Sequence, residues 1–388
     1  MTPSLNPSGE LHSKLERIGR AFGIPGDFVS GAPFGNGLIN DTFAATFADP
    51  DGHRRFILQR INHHVFRDPV SLMGNVERVC RHMRERLQAD GEPNAHRKAL
   101  TMLQTGDGSP LHLEPHPGEE NSHTYWRCFV LIEGCTSHEV VESPELAYEA
   151  ARQFGRFQRL VTDLPGDRLI ETIPDFHHTP KRFDALQAAI RRDSHGRAAE
   201  CAEEIAFALS RESVAHHLLG LHAKGLIPER ITHNDTKLAN VLIDDQTGRG
   251  ICVVDLDTVM PGLSLYDFGD LVRSCVSPVE EDSTELDAID VRPEVFEALA
   301  SGFLDQMADI LTPVESENLA FAGKLLTYEV GLRFLTDYLS GDVYFATKRP
   351  RHNLERARNQ LQLVRRLEET EPAMRRRIAD LSPGLTVA

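Results

Sequence analysis

One stretch near the middle of the chain constrains the fold more than any other. A polar loop that contains Asp235 and Asn240 is followed directly by two short apolar runs, residues 241–243 and 251–254, and the second run leads into Asp255. The turn between the runs is rich in Asp, Thr and Gly, which predicts a β-hairpin. The loop and the hairpin together predict one compact unit that carries three polar side chains.

The loop itself reads T-H-N-D-T-K-L-A-N and matches the H-x-D-x(4)-N order of a phosphotransfer loop. This order predicts Asp235 as the base that accepts the proton of an attacking hydroxyl group. Asn240 and Asp255 are predicted magnesium ligands, because the hairpin returns the second beside the first and both offer hard oxygens. His233 is expected to brace the loop by hydrogen bonds. Taken singly, such residues are often turn or cap residues, but their joint occurrence before two apolar strands favours function.

Three further aspartates close to the loop have two interpretations each. Asp257 suits either the surroundings of a metal ion or an N-cap before the turn at Pro261-Gly262. Asp267 and Asp270 can either hold the catalytic loop or cap a helix, since capping is a common role for aspartate.

The rest of the chain predicts an α+β architecture with two lobes. A β-rich part extends to about residue 133, and mostly helical sequence follows it. The predicted strands lie at residues 28–30, 43–47, 56–61, 99–105 and 125–132. The predicted helices lie at residues 11–23, 68–91, 143–161, 181–192, 197–224, 293–310, 315–340 and 351–369. We therefore expect a small antiparallel β N-lobe with one long helix (residues 1–133) and a larger, mostly helical C-lobe (residues 134–388).

Composition excludes several classes of protein. The chain has 388 residues, more than a single hydrophobic core usually supports. Its 42 basic and 58 acidic residues give a net charge of −16, the wrong sign for binding nucleic-acid phosphates. The six cysteines are scattered without zinc-like spacing, and no long apolar window occurs. These features predict a cytoplasmic protein with neither a nucleic-acid nor a membrane partner; the oligomeric state stays open.

The N-lobe offers candidate nucleotide contacts. Gly35, Gly37 and Asn40 lie in a turn between two strands, where backbone N–H groups can surround phosphates. The third strand of a kinase-type lobe usually carries a lysine, and this chain has none there. Gln59 or Arg60 would have to take its place.

Two acidic residues complete the predicted nucleotide site. Glu77, on the long helix, is the expected ion-pair partner of Arg60, although a surface role is equally compatible with a helix so rich in Arg and Glu. Glu133, at the predicted boundary between the lobes, is assigned to the same site.

These residues carry a resemblance to a known family. The chain resembles the aminoglycoside phosphotransferase/choline kinase superfamily, and within it most closely the bacterial N-acetylhexosamine 1-kinases. The matching segments are residues 232–240, 254–262, 266–270, 333–348, 57–59 and 172–180. The loop reads H-N-D where the broad superfamily usually has H-G-D, a departure that the hexosamine kinases share, as they share the missing lysine.

The resemblance implies a protein-kinase-like fold that uses ATP and Mg²⁺, with Asp235 as the catalytic base and Asn240 and Asp255 as magnesium ligands. It implies phosphorylation of the anomeric hydroxyl of an N-acetylhexosamine. Arg333, Asp337 and Tyr344 are the expected sugar contacts. Their mixture of a cation, a carboxylate and a phenol suits the several donors and acceptors of a sugar.

Other functions stay open on the residues alone. The acceptor could be another sugar, an amino alcohol or an aminoglycoside. A metal-dependent hydrolase could use His233, Asp235, Asp255 and Asp257, and the missing lysine allows a non-catalytic nucleotide-binding module. A sulfatase motif and a Walker A motif are both absent. The pair His177-His178 is expected to be solvated or to cap a helix.

Overall fold

The computed structural model describes residues 7–35, 37, 39–115 and 123–382. The chain forms two compact units, of which the first comprises residues 1–135 and Leu164–Ile173 and the second the remainder.

The elements of the first unit are numbered in chain order. Its helices are α1 (Pro7–Ala21), α2 (Pro69–Ala89) and α3 (Ala95–Lys98). Its strands are β1 (Asp27–Pro33), β2 (Asp41–Asp49), β3 (Gly52–Ile61), β4 (Met102–Leu103), β5 (His112–Pro115) and β6 (His123–Val130). Strand β7 (Cys135–Thr136) lies at the boundary between the units.

The second unit is mostly helical. Its strands are β8 (Arg230–Thr232), β9 (Val241–Asp244), β10 (Gly250–Val253) and β11 (Met260–Gly262). Its helices are α4 (Pro144–Val161), α5 (Thr179–Arg192), α6 (Ala202–Leu209), α7 (Glu212–Ala223), α8 (Ser264–Cys275), α9 (Pro293–Met307), α10 (Pro313–Glu317), α11 (Leu319–Leu339) and α12 (His352–Leu381). Short 3₁₀ helices span Ala198–Cys201, Leu238–Asn240, Leu256–Thr258 and Leu286–Ala288.

An antiparallel sheet organises the first unit. Within the described residues the strand order is β1-β2-β3-β6-β4, and β5 pairs with β6. Side chains alternate between the two faces of a strand, so one face of β3 carries Phe56 and Leu58, which pack with α1 residues such as Leu15. The opposite face carries Gln59, whose cross-strand partner Arg127 reaches the sulfur of Met73 on α2. Helices α1 and α2 thus cover opposite faces of the sheet.

The first unit also includes a segment that the sequence assigned to the C-lobe. The side chain of Asn75 on α2 donates to the carbonyl of Ile170 and accepts from its N–H, at 2.8 and 3.1 Å. Arg78, one helical turn away, donates to the carbonyls of Pro165 and Asp167. These bonds attach residues 164–173 to α2, so the single predicted boundary after residue 133 is incomplete.

The predicted helix starts are confirmed where a capping residue precedes proline. The Asp68 carboxylate accepts from the N–H of Ser71 at the start of α2, and the Ser143 hydroxyl accepts from that of Leu146 at the start of α4. Gly91, with φ +66°, follows the end of α2 as expected for a C-terminal glycine.

Several predicted elements differ in extent. The strand expected over residues 99–105 is only two residues long, and the helix expected over residues 197–224 is divided near Ser210. Helix α12 continues through Pro372 to Leu381. The sequence predicts a turn at Pro261-Gly262. Residues 260–262 instead form strand β11, which pairs with β8 and places Gly262 opposite Arg230.

Helix α8 was missed as an element, although its aspartates were noted. None of the helices in the described part of the chain is both long and apolar enough to cross a lipid bilayer.

Candidate active site

The catalytic loop of the second unit links strand β8 to the hairpin β9–β10. The amide nitrogen of Asn240 donates to the Asp235 carbonyl at 2.8 Å and to its carboxylate oxygen Oδ2 at 3.0 Å. The predicted base and one predicted metal ligand are therefore in direct contact. Because the nitrogen of the Asn240 amide faces Asp235, the amide oxygen is the atom left for a cation.

His233 braces this loop, as the sequence predicts. The ring is fully buried and packs edge-to-face against Phe154 and Phe157 of α4. Its Nε2 lies 3.0 Å from the carbonyl of Val254, and its Nδ1 accepts from the N–H of Asp235 at 3.3 Å. The imidazole thus ties the base to the end of strand β10.

Asp267 and Asp270 hold the catalytic loop through its backbone N–H groups, so of their two interpretations the structure supports the loop-holding role. Both lie within helix α8, and Asp267 accepts from the backbone N–H groups of His233 (2.9 Å) and Asn234 (2.7 Å). Asp270 accepts from the N–H of Thr236 at 2.9 Å. Burial raises the pKa of Asp267, while the N–H groups it accepts from oppose that rise.

The Asp270 carboxylate is held differently, by a cation. Burial acts to raise its pKa, but the adjacent Arg273 guanidinium, 2.7 Å away, overcomes this effect and the pKa is lowered. Arg273 also pairs with Glu281 at 2.6 Å. A buried ion pair therefore supports the loop next to the base.

The backbone of the loop explains why asparagine occupies the position between histidine and the base. Asn234 has φ +66°, in the left-handed region that glycine and asparagine tolerate best. Its side chain also donates to the carbonyls of Thr232 (3.2 Å) and Thr258 (2.9 Å). Asparagine thus supplies the bend and adds one bond to the end of β8 and one to the segment after Asp255, neither of which a glycine could make.

Asp255 lies two residues beyond the end of β10, after Val254. The N–H of Val254 donates to the carbonyl of Asn240 at 2.9 Å. The hairpin therefore brings Asp255, the residue after Val254, close to Asn240. An amide oxygen and a carboxylate at this end are the hard ligands that Mg²⁺ takes, and two of them are too few without phosphate oxygens. Asp257 is buried within a short 3₁₀ helix.

Lys237 is a candidate that the sequence interpretation passed over. Its ammonium group lies 3.4 Å from Oδ2 of Asp235. Burial acts to lower the pKa of Lys237, but the carboxylates of Asp235 and Asp255 outweigh it, and the pKa is raised. The signal in the sequence was its position two residues after the base, within the same loop.

His177 and Glu329 form a second group that the sequence interpretation missed. His177 is buried, with Nδ1 2.8 Å from a carboxylate oxygen of Glu329 and Nε2 3.1 Å from the carbonyl of Asn234. His178 does cap α5, accepting from the N–H of Lys181, so the expectation for the histidine pair is right for one member and wrong for the other.

The predicted acceptor residues Arg333 and Tyr344 lie together. The guanidinium carbon of Arg333 is 5.7 Å from the ring centre of Phe176, 5.8 Å from that of Tyr344 and 5.3 Å from that of Phe345. Tyr344 is 67% exposed, so its phenol is accessible. We call Arg333 and these three rings the acceptor cluster.

Asp337 has a different role from the predicted sugar contact. Its Oδ1 accepts from the N–H groups of Val343 and Tyr344, each at 2.9 Å. Its Oδ2 accepts from the N–H of Phe345 and from the side chain of Asn353, also at 2.9 Å. This buried carboxylate shapes the loop after α11, and through that loop it places Tyr344.

A second guanidinium, that of Arg182 on α5, adjoins the acceptor cluster. It donates to the carbonyls of Asp175 and Phe176, both at 3.0 Å. Burial lowers the pKa of Arg182, and repulsion from Arg333 lowers it further. Two cations therefore stand near the same group of rings.

Comparison with known proteins agrees with this geometry. The sequence model of one protein family, described as the phosphotransferase enzyme family, matches residues 30–300, more than half of the chain. The chain belongs to this family.

Solved structures share the fold of this phosphotransferase at low sequence identity. A microcompartment-associated aminopropanol kinase superposes with a TM-score of 0.60 at 15% identity, covering 93% of this chain and 98% of the other. Choline kinase from Cryptosporidium parvum gives 0.55 at 14%, covering 96% and 99%. An aminoglycoside phosphotransferase from Alicyclobacillus acidocaldarius gives 0.54 at 14%, covering 91% and 93%. The predicted α+β, protein-kinase-like fold is confirmed.

The first unit of this phosphotransferase separates the two predicted substitutes for the lysine. Arg60 lies on the α1 face of the sheet, where its Nε donates to Asp41 at 2.6 Å. Gln59 lies on the α2 face. There its side-chain oxygen accepts from Arg127 (2.9 Å), and its side-chain nitrogen donates to the hydroxyl of Thr42 (2.8 Å). Because neighbouring residues of a strand point to opposite faces, only one of them can serve the α2 face.

The expected ion pair between Arg60 and Glu77 is wrong for the same reason. Glu77 lies on α2 and accepts from the side-chain amide of Gln104 at 2.5 Å. Glu133 pairs with Arg55 at 3.2 Å, and its backbone carbonyl accepts from Arg97 at 2.7 Å. The bonds of these two acidic side chains are thus to residues outside the predicted phosphate turn.

The phosphate turn is described in part, since Asn36 and Leu38 lie outside the described residues. Gly35 has φ +73°, a conformation that favours glycine. Asn40 accepts through its side chain from the N–H of Asn62 at 3.0 Å, which ties the turn to the end of β3.

Proposed function

We propose that this phosphotransferase transfers the terminal phosphoryl group of ATP, with Mg²⁺, to the anomeric hydroxyl of an N-acetylhexosamine, giving the sugar 1-phosphate. The proposal includes a cytoplasmic location and a free sugar as the partner, with neither nucleic acid nor membrane. The second unit supplies the base and the acceptor contacts, and the resemblance of residues 232–240 and 333–348 to hexosamine 1-kinases supports the choice of the hydroxyl group.

The observation that carries the proposal is the charge of the acceptor cluster. Arg333 occupies the faces of three aromatic rings that could otherwise enclose an ammonium group, and Arg182 stands beside it. Three nearby carboxylates are engaged: Glu329 by His177, Asp337 by backbone N–H groups and Asp175 by the ammonium group of Lys181. A cationic amino alcohol or aminoglycoside would meet two like charges here, whereas a neutral sugar meets donors and an exposed phenol.

The proposed chemistry rests on residues already in contact. Asp235 accepts the proton of the sugar hydroxyl, and the Asn240 amide, which donates to Oδ2, holds the carboxylate in place and leaves Oδ1 for that proton. Lys237, beside the same carboxylate, holds a phosphate oxygen. Asn240 and Asp255 would hold the magnesium ion, which supplies charge neutralisation at the phosphates when bound.

The contacts between the loop that carries the base and the acceptor cluster also fit this chemistry. His177 contacts the carbonyl of Asn234, the residue before the base. Phe176, which precedes His177 in the chain, has its ring centre 5.7 Å from the guanidinium carbon of Arg333. A sugar lying on the acceptor cluster would thus be near the base-bearing loop. Productive transfer needs this proximity, because positioning supplies much of the rate enhancement in phosphoryl transfer.

The test is an ATP-consumption screen over N-acetylglucosamine, N-acetylgalactosamine, glucose, their methyl glycosides, choline, aminopropanol and an aminoglycoside. Phosphorus NMR of the product locates the ester. We expect an N-acetylhexosamine 1-phosphate, a poorer reaction with glucose because the site loses a bond to the acetamido group, and none with a methyl glycoside. Phosphorylation of a methyl glycoside as fast as of the free sugar, or a preference for choline or aminopropanol, would refute the proposal.

A pair of variants tests the charge argument directly. Arg333→Ala is expected to raise the KM for the sugar or lower kcat, without much change in basal ATP hydrolysis. Arg192→Ala, an exposed arginine at the end of α5, is the matched control and should leave both parameters unchanged. Equal kinetics for the two variants would remove Arg333 from the acceptor site.

A further inference from the structure

The buried pair of His177 and Glu329 joins the catalytic loop to α11, the helix that carries Arg333. Glu329, on α11, is fully buried, and His177 is nearly so. The second oxygen of Glu329 accepts from the hydroxyl of Thr179 at 2.6 Å. Both side chains are therefore buried and bonded inside the second unit, which shields them from a substrate.

The chemistry of the partners fixes the proton count of the ring. Nδ1 of His177 faces a carboxylate oxygen at 2.8 Å, and Nε2 faces a backbone carbonyl at 3.1 Å. A backbone carbonyl can only accept, so Nε2 donates; with the Glu329 carboxylate ionised, Nδ1 donates as well and the ring is an imidazolium. The electrostatics agree: burial acts to lower the pKa of His177, but Glu329 raises it more, and the pKa of Glu329 is lowered by the same pair.

Both ends of the pair are attached to parts that the proposed reaction uses. The carbonyl bound by His177 belongs to Asn234, the residue immediately before the base Asp235. Glu329 lies one helical turn before Arg333 on α11, so the two side chains share one face of that helix. Phe176, next to His177 in the chain, packs edge-to-face against the His177 ring, and the guanidinium of Arg333 lies over the Phe176 ring.

We propose that the buried His177–Glu329 ion pair is a positioning device that fixes the distance between the catalytic base and the acceptor helix α11. The proposal rests on the proposed function in one respect, namely that Arg333 contacts the acceptor. His177 and Glu329 act through Asn234 and Arg333 and are positioning residues. Loss of the pair leaves ATP and acceptor able to bind but misplaces the hydroxyl relative to the base.

The test uses variants of the full chain that separate charge from geometry. Glu329→Gln can donate to Nδ1 of a neutral ring, which still donates from Nε2 to the Asn234 carbonyl. The double variant His177→Leu/Glu329→Met removes the bond to the loop without leaving a buried charge unpaired. His217→Phe is the matched control, because His217 also bonds to the start of α11, through Asn318 at 2.8 Å, and packs on Phe321, yet does not touch the loop.

We expect the double variant to lower kcat about 100-fold, the cost of misplacing a reacting group by about 1 Å, while the KM values for ATP and acceptor change less than about threefold. Glu329→Gln should recover most of kcat, and His217→Phe should retain it. A folded double variant with unchanged kcat, or equal losses in the double variant and in His217→Phe, would overturn the proposal. If the double variant does not fold, Glu329→Gln still decides, because a 100-fold loss there would mean that charge, not the loop bond, is required.

Two measurements do not depend on the identity of the acceptor. In the ¹⁵N NMR spectrum of histidine-labelled protein at pH 7.5, the signals that disappear in His177→Gln should show two protonated ring nitrogens. A neutral ring would overturn the proposed ion pair. Hydrogen exchange over residues 230–240 should accelerate in the double variant and not in His217→Phe. If the acceptor screen fails and these two results hold, the proposed function is wrong and the positioning device stands.

Discussion

Replacing Asp270 by asparagine is expected to destabilise this phosphotransferase and slow it at the same time. The carboxylate is buried, pairs with Arg273 at 2.7 Å and accepts from the N–H of Thr236, the residue after the base. In the asparagine variant, an amide oxygen facing Thr236 leaves an NH₂ group facing the guanidinium. The variant therefore keeps one bond in weaker form and loses the other.

The magnitude follows from these two contacts. Removing one partner of a buried ion pair costs about 3–5 kcal/mol of unfolding free energy. Arg273 retains its second partner, Glu281, so the loss at this pair should be about 2 kcal/mol, below that range. The bond from Thr236 changes from a charged to a neutral acceptor, which costs about 1 kcal/mol. We expect a total loss of about 3 kcal/mol.

Urea unfolding at pH 7.5, compared with kcat, measures both effects. Asp184→Asn is the matched control, because Asp184 is exposed on α5, and it should change the unfolding free energy by less than about 0.5 kcal/mol. The reasoning would be refuted if Asp270→Asn unfolded at the same urea concentration as the wild type with the same slope and kept its kcat.

The pH dependence gives the same prediction a second test. Because Arg273 holds the pKa of Asp270 below its ordinary value of 3.8, against the effect of burial, the carboxylate stabilises the fold above that value. Its contribution is lost only as the pH falls through the lowered pKa. The difference between wild type and Asp270→Asn should therefore be constant from pH 5 to pH 8 and shrink below about pH 4.

Three further predictions concern the site itself. Asp235→Asn should lower kcat by about 10²–10⁴-fold and leave ATP binding intact in calorimetry, and retention of more than half of kcat would remove Asp235 as the base. Mg²⁺ should bind weakly to the free protein and well with ATP, because Asn240 and Asp255 offer only two ligands; tight binding to the free protein, or activity in EDTA, would contradict this. Gln59→Leu should raise the KM for ATP several-fold, whereas Arg60→Gln, on the opposite face of β3, should change it less than about twofold, and the reverse order would show that the α2 face is not the nucleotide side.

The catalytic loop could be found from the sequence because its signals are local. The spacing of Asp235 and Asn240, and the apolar runs that follow them, are set by the length of a loop and the period of a strand. The helix starts at Asp68 and Ser143 were accessible for the same reason, since a cap and the proline after it are neighbours in the chain. The change from β-type to helical sequence gave the α+β class in the same way.

The contacts that hold the site together join residues far apart in the chain, and no local pattern announces them. His177 meets Glu329 across 152 positions, and a two-histidine segment has the same appearance whether one ring is solvated or buried. Asp337 was predicted as a sugar contact, but in the structure it anchors a loop, because three consecutive N–H groups after α11 donate to its carboxylate.

The face of the sheet on which a side chain lies is the other decision that only tertiary structure makes. Gln59 and Arg60 are equivalent by composition and position, yet α2 packs on one face of β3 and α1 on the other. The sequence by itself determined the residue types that perform the chemistry and the loop that holds them. Packing determined which residues face one another, because burial and charge pairing depend on chain segments that meet only after folding.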